Sequence, residues 1–131
     1  MKLNYKTEQY AEWTKAGLIT LERKLEGETA FDGVVKIYSI KTNNPSLNSI
    51  LAEKYFTDFI HYAENGIFLR MFKSKKSWPK TRLTYIDFEN SELIVIKKTS
   101  SSYSFWKSTD LGNGIHSFEI QPSEKIEYEI K

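Results

Sequence analysis

Apolar side chains near the start of the chain recur at helical intervals. Tyr10, Trp13, Leu18, Leu21 and Leu25 follow Thr7-Glu8-Gln9, where a hydroxyl cap is backed by a negative residue in the first turn. This spacing predicts a helix over residues 7–26, closed by Gly27. Gly17 offers a competing reading, because Ile19, Leu21, Arg23 and Leu25 also alternate as a strand would after a glycine turn. The run 34–40, Val34-Val35-Lys36-Ile37-Tyr38-Ser39-Ile40, is dominated by β-branched and aromatic residues and predicts a strand. A second helix is predicted over 45–64. Asn44 caps it, Pro45 takes the first helical position, and Leu47, Ile50, Leu51, Tyr55, Phe59 and Tyr62 form one apolar stripe before Asn65-Gly66 ends it.

From Gly66 onward the pattern changes to short apolar runs separated by polar turns. These predict strands at 67–73, 82–88, 93–97, 103–107, 115–120 and 125–130. Turns this short join antiparallel neighbours, since a parallel crossover needs about a dozen residues. Ile126, Tyr128 and Ile130 alternate with Lys125, Glu127 and Glu129, so the last strand has one dry and one wet face. Runs 67–73 and 93–97 are apolar on both faces, which places them centrally, covered on the second face by the 45–64 helix. The expected fold is a single α+β domain over 1–131, a mainly antiparallel sheet of six to seven strands packed on one or two helices.

Composition narrows the chemistry more than the fold. The 131 residues include 15% aromatics, which suit a β-rich core, and no cysteine, which excludes disulfides, thiolate metal sites and cysteine nucleophiles. There is no apolar run of the ~18 residues that a spanning helix needs, and Met1–Lys6 lacks a signal-peptide core, so a cytoplasmic, membrane-free protein is expected. Net charge is only +2, but it is unevenly distributed. Residues 66–86 carry Arg70, Lys73, Lys75, Lys76, Lys80 and Arg82 without one acid, while 119–131 is rich in Glu.

Catalytic patterns are sparse. The two histidines, His61 near the expected helix end and His116 between aromatics, lack ligand spacing and read as packed side chains. No Gly-x-Ser-x-Gly elbow and no phosphate loop occurs, and Gly112-Asn113-Gly114 reads as a hairpin turn. Metal, cofactor and catalytic residues are therefore not expected. The informative segment is the basic hairpin, where Arg70, Lys73, Lys75, Lys76, Lys80 and Arg82 flank Trp78. Cations beside a large ring can anchor an acidic protein. They can also bind single-stranded nucleic acid by stacking and phosphate neutralisation. The bland reading is a solvated loop with Trp78 folded onto the core.

These features lead to the expectation of a non-catalytic protein-binding module. Such a module could act as an inhibitor, or as a bacterial immunity protein that neutralises a toxin by occluding its active surface. The alternative is a nucleic-acid-binding domain using the 70–82 hairpin. A second candidate surface is the acidic last strand, with Glu124, Glu127 and Glu129, which would face a basic partner.

Overall fold

The computed structural model describes residues 9–29 and 35–130. Ten strands and one short helix make an α+β fold that is mainly antiparallel sheet. The strands are β1 (Ala11–Ala16), β2 (Ile19–Glu28), β3 (Lys36–Thr42), β4 (Phe56–Ala63), β5 (Gly66–Phe72), β6 (Thr81–Asp87), β7 (Glu92–Thr99), β8 (Lys107–Gly112), β9 (Ile115–Gln121) and β10 (Glu124–Glu129). The helix α1 (Pro45–Leu51) follows β3. Strands β1 to β7 form one sheet in sequence order, and β8, β9 and β10 form a second, three-stranded sheet.

The helix expected over 7–26 is instead the hairpin β1–β2; residues 7 and 8 lie outside the described residues. Gly17 takes φ +63° in a two-residue loop between paired Ala16 and Ile19, a conformation open to glycine. Leu18, a member of the supposed helical stripe, sits at the loop tip and is 95% exposed. The helix expected over 45–64 ends at Leu51. Asn44 caps its start, accepting from Ser46 N and Leu47 N, but Glu53 adopts φ +61° and breaks the chain out of the helix. Beyond it, Phe56, Thr57, Phe59, Ile60 and Tyr62 are strand-formers and become β4.

The predicted strand 34–40 appears as β3, with residue 34 outside the described residues. Runs 67–73, 82–88, 93–97, 115–120 and 125–130 appear as β5, β6, β7, β9 and β10 with ends moved by a residue or two. Residues 103–106 of the predicted strand 103–107 form no strand but a covering segment whose Tyr103 and Trp106 pack on the large sheet, and β8 begins only at Lys107. The ten strands among the described residues exceed the expected six or seven because both supposed helices contribute strands.

α1 touches both β3 and β7. Seven residues of helix span only about 10 Å, whereas β3 and β7 in a flat sheet would stand roughly 19 Å apart. The large sheet is therefore curled around the helix. Its concave face holds Leu21, Ile40, Phe56, Ile67, Leu69, Met71 and Ile86 with Leu47 and Leu51 of α1. Its opposite face is covered by the small sheet through Phe68, Leu83, Tyr85, Trp106, Phe118 and Ile120. Strand β5 is buried along its whole length, as its two-sided apolar pattern predicts. β7 is not central: it is the edge of the large sheet and only half buried. A Cβ at Gly66, the start of β5, would run into the backbone carbonyl oxygen of Ile86 and stand 2.6 Å from Tyr85 Oη, so only glycine fits there.

Candidate functional site: a basic cleft where three strands end

The end of β5, the start of β6 and the end of β7 lie side by side. In this register Arg82 pairs with both Met71 and Lys98, and Thr81 with both Phe72 and Thr99. Lys73 and Lys80 close the β5–β6 connection, with Lys73 N donating to Lys80 O at 3.3 Å. Ser77 fixes the loop: its Oγ accepts from Ser74 N and lies 2.9 Å from two acceptors for its one hydroxyl proton, the carbonyls of Ser74 and Lys80. Lys73, Lys80, Thr81, Arg82, Lys98, Thr99 and Ser100 together line a cleft of about 380 Å³. No carboxylate lines it, and among the described residues none lies within ion-pair distance of Lys73, Lys80, Arg82 or Lys98.

That arrangement carries a cost. Arg82 and Lys98 are directly opposite across an antiparallel pair, where like charges are destabilising by a fraction of a kcal/mol to about 1 kcal/mol. A concave surface with four cations, and with the Thr99 and Ser100 side chains beside them, is chemically suited to anionic groups.

The sequence-predicted residues divide. Lys73, Lys80 and Arg82 are brought together in the cleft. Lys75 is turned away toward Glu26, at 3.5 Å, and over the Tyr55 ring at 5.5 Å. Lys76 is exposed on the loop outside the cleft. Arg70 is 1% exposed and cannot meet a partner. Its Nε donates to Thr81 Oγ1 (2.9 Å), Nη1 to Tyr103 O (2.9 Å) and Nη2 to Ser101 O (3.3 Å). The guanidinium also sits over Trp106 at 4.1 Å and Trp78 at 5.0 Å. Burial lowers it to about 10, so it remains a cation at neutral pH. Trp78 is half-buried against Phe72 and Arg70, the folded-back reading of that ring. Lys98 was missed. It follows the predicted run 93–97 directly, but a register shift between Leu83 and Thr84, which the sequence does not signal, is what sets it opposite Arg82.

On the alternative acidic surface, Glu127 and Glu129 lie on the exposed face of β10 with Lys125, while Glu124 is 3.8 Å from Lys97 and also accepts from Gln121. Glu127 and Glu129 are thus spread along an outer strand face, apart from half-buried Glu124.

A second cluster joins the two sheets. His61 is on β4 rather than at a helix end, and its Nε2 lies 2.9 Å from His116 Nδ1 of β9. His116 is 3% exposed. Burial first, and then neighbouring His116, hold His61 below the ordinary imidazole value, against the opposing pull of Asp110. Among the described residues, no group of three or more His, Asp or Glu is placed to hold a metal ion. No helix among them is long and apolar enough to cross a membrane.

Comparison with protein-family models, curated proteins and solved structures gives no significant match.

Proposed function

We propose that the protein is a non-catalytic binding module that docks an acidic protein surface through the cleft formed by Lys73, Lys80, Arg82 and Lys98. The observation that carries this reading is the facing pair Arg82–Lys98, two like charges held opposite each other with no acid in reach. Such a pair is destabilising in the free protein and is relieved when carboxylates of a partner enter between the cations. Acidic protein is favoured over nucleic acid by the fate of the rings. Sequence-tolerant strand binding needs exposed aromatic faces beside the cations. Trp78 is instead committed to Arg70 and Phe72, and no exposed aromatic residue lines the cleft. Docking covers the partner's surface, a mode of action shared with inhibitors and with immunity proteins that neutralise a toxin.

The test compares affinity capture by the wild-type protein and by Arg82→Glu/Lys98→Glu from the native cell, with an oligonucleotide-binding assay alongside. The expected result is an acidic partner retained in stoichiometric amount by the wild type, lost from the variant, and weakened as salt rises. Capture that survives the double charge reversal would overturn the reading. So would oligonucleotide binding that disappears with the same substitutions.

A further inference from the structure

The far end of β5 from the basic cleft carries a second cavity, of about 310 Å³, lying against both sheets. It is lined by Glu64 and Asn65 from the β4–β5 turn, Tyr85 from β6, Asp110 and Asn113 around the β8–β9 turn, and His116. No lysine or arginine lines it. Asp110 pairs directly with His116 across β8 and β9, so both side chains share one face. One Asp110 oxygen accepts from Gly112 N at 2.8 Å; Glu64 has no hydrogen-bond or ion-pair partner among the described residues.

His116 gives this cavity a feature beyond its carboxylates. The side chain is almost wholly buried, with Nδ1 engaged by His61, yet Nε2 has no hydrogen-bond partner among the described residues and is not sealed from solvent. The cavity is the opening on which this residue lies. The single hydrogen bond between the imidazoles also fixes their tautomers together. When His116 Nδ1 donates to His61, His116 Nε2 becomes an acceptor for the cavity. Every polar side chain on the wall can then offer an acceptor: two carboxylates, two side-chain amides, the Tyr85 hydroxyl and the imidazole. Tyr85 is held neutral, its phenol pushed up to about 12 by burial first and by nearby Asp87. The surrounding turns add Asp87, Glu89 and Glu92.

We infer that this cavity is a binding site for a primary ammonium group, seated between Glu64 and Asp110 with one N–H donated to His116 Nε2. Three donors on a compact cation match an acceptor-lined pocket that no protein cation enters. A small free amine and a lysine side chain of another protein present this same chemistry. Binding fixes His116 as the Nδ1–H tautomer and makes His61 Nε2 the acceptor, so the two imidazoles report occupancy together.

Putrescine, Nα-acetyl-lysinamide and the neutral isostere butanediol are titrated at neutral pH into the protein, followed by proton–nitrogen spectra of the imidazoles. The expected result is a saturable, joint shift of His61 and His116 with an amine, about tenfold or more tighter than with butanediol. Glu64→Gln/Asp110→Asn, whose backbone spectrum shows that it stays folded, should lose that preference. A response to putrescine alone assigns a free amine, and a response to both amines assigns a site open to lysine side chains. No saturable shift with either amine, equal binding of the diol, or undiminished binding by the double variant would each overturn the assignment.

Discussion

Arg70 places a full positive charge near the centre of the molecule, and among the described residues no carboxylate lies within 4 Å of it. It is tolerated because a hydroxyl, two carbonyls and two indole faces replace water around the guanidinium. The carbonyls belong to the 101–106 segment, so Arg70 ties that cover to the sheet. Arg70→Ala should lower stability by about 2–4 kcal/mol, since it removes buried packing and leaves acceptors without donors. Arg70→Lys should recover only part of the loss, because an ammonium lacks the guanidinium's planar fork. Chemical denaturation of the three proteins checks both statements; equal stability of wild type and Arg70→Ala would refute them. The neighbours of Arg70 are apolar on both faces of β5, which already points inward; the groups that receive its charge could not be read from them. Burial comes from residues about 30 positions later in the chain, at Ser101 and Tyr103.

α1 depends on its cap more than most helices do. It has only seven residues, too few to be stable alone, and Asn44 satisfies Ser46 N at 2.9 Å and Leu47 N at 3.2 Å. Asn44→Ala should cost about 1 kcal/mol, and the loss should reach Leu47 and Leu51, which fill the concave core. Hydrogen exchange at Asn48 and its neighbours should accelerate while β9 amides hold, and uniform acceleration would contradict a local effect. The start of this helix was legible because Asn44-Pro45 is a local signal; its end was not. Lys54 to Tyr62 satisfies a helical stripe and a strand composition at once, and pairing of β4 with β5 decides between them. The same conflict at residues 10–25 was decided by Gly17 at the hairpin turn. Strands bounded by polar turns, β5 to β7 and β9 to β10, were legible throughout because their pairing is between sequence neighbours. Three cations of the cleft could be read for that reason; Lys98 could not, because a register shift between Leu83 and Thr84 sets it opposite Arg82. The His61–His116 contact could not, because it spans 55 residues and two sheets that local patterns do not distinguish.

Across the whole molecule, β5 separates a basic end from an acidic one. Lys73, Lys80, Arg82 and Lys98 gather at Phe72, while Glu64, Asp87, Glu89, Glu92 and Asp110 lie on turns and strand ends toward Gly66. The acidic pole is thus distinct from the C-terminal strand in which the sequence concentrates its glutamates. The small sheet bridges the acidic pole, held to the large one by the Phe68–Phe118 core and by the histidine pair. Acid should act at this joint. His61 is depressed below its unfolded value of 6.5 by burial and by His116, with Asp110 opposing; Phe68 and Phe118 present apolar rings to it. Below that value the unfolded chain takes up a proton that folded His61 resists. Unfolding free energy should therefore be undiminished above about pH 6.5, fall as pH drops from there toward the depressed folded value, and level off below it as far as His61 is concerned. His61→Gln keeps an amide near His116 but cannot titrate. Denaturant midpoints measured across this pH range should decline more steeply for wild type than for His61→Gln. Parallel declines would mean that the carboxylates alone drive the acid sensitivity and that the histidine joint contributes nothing to it.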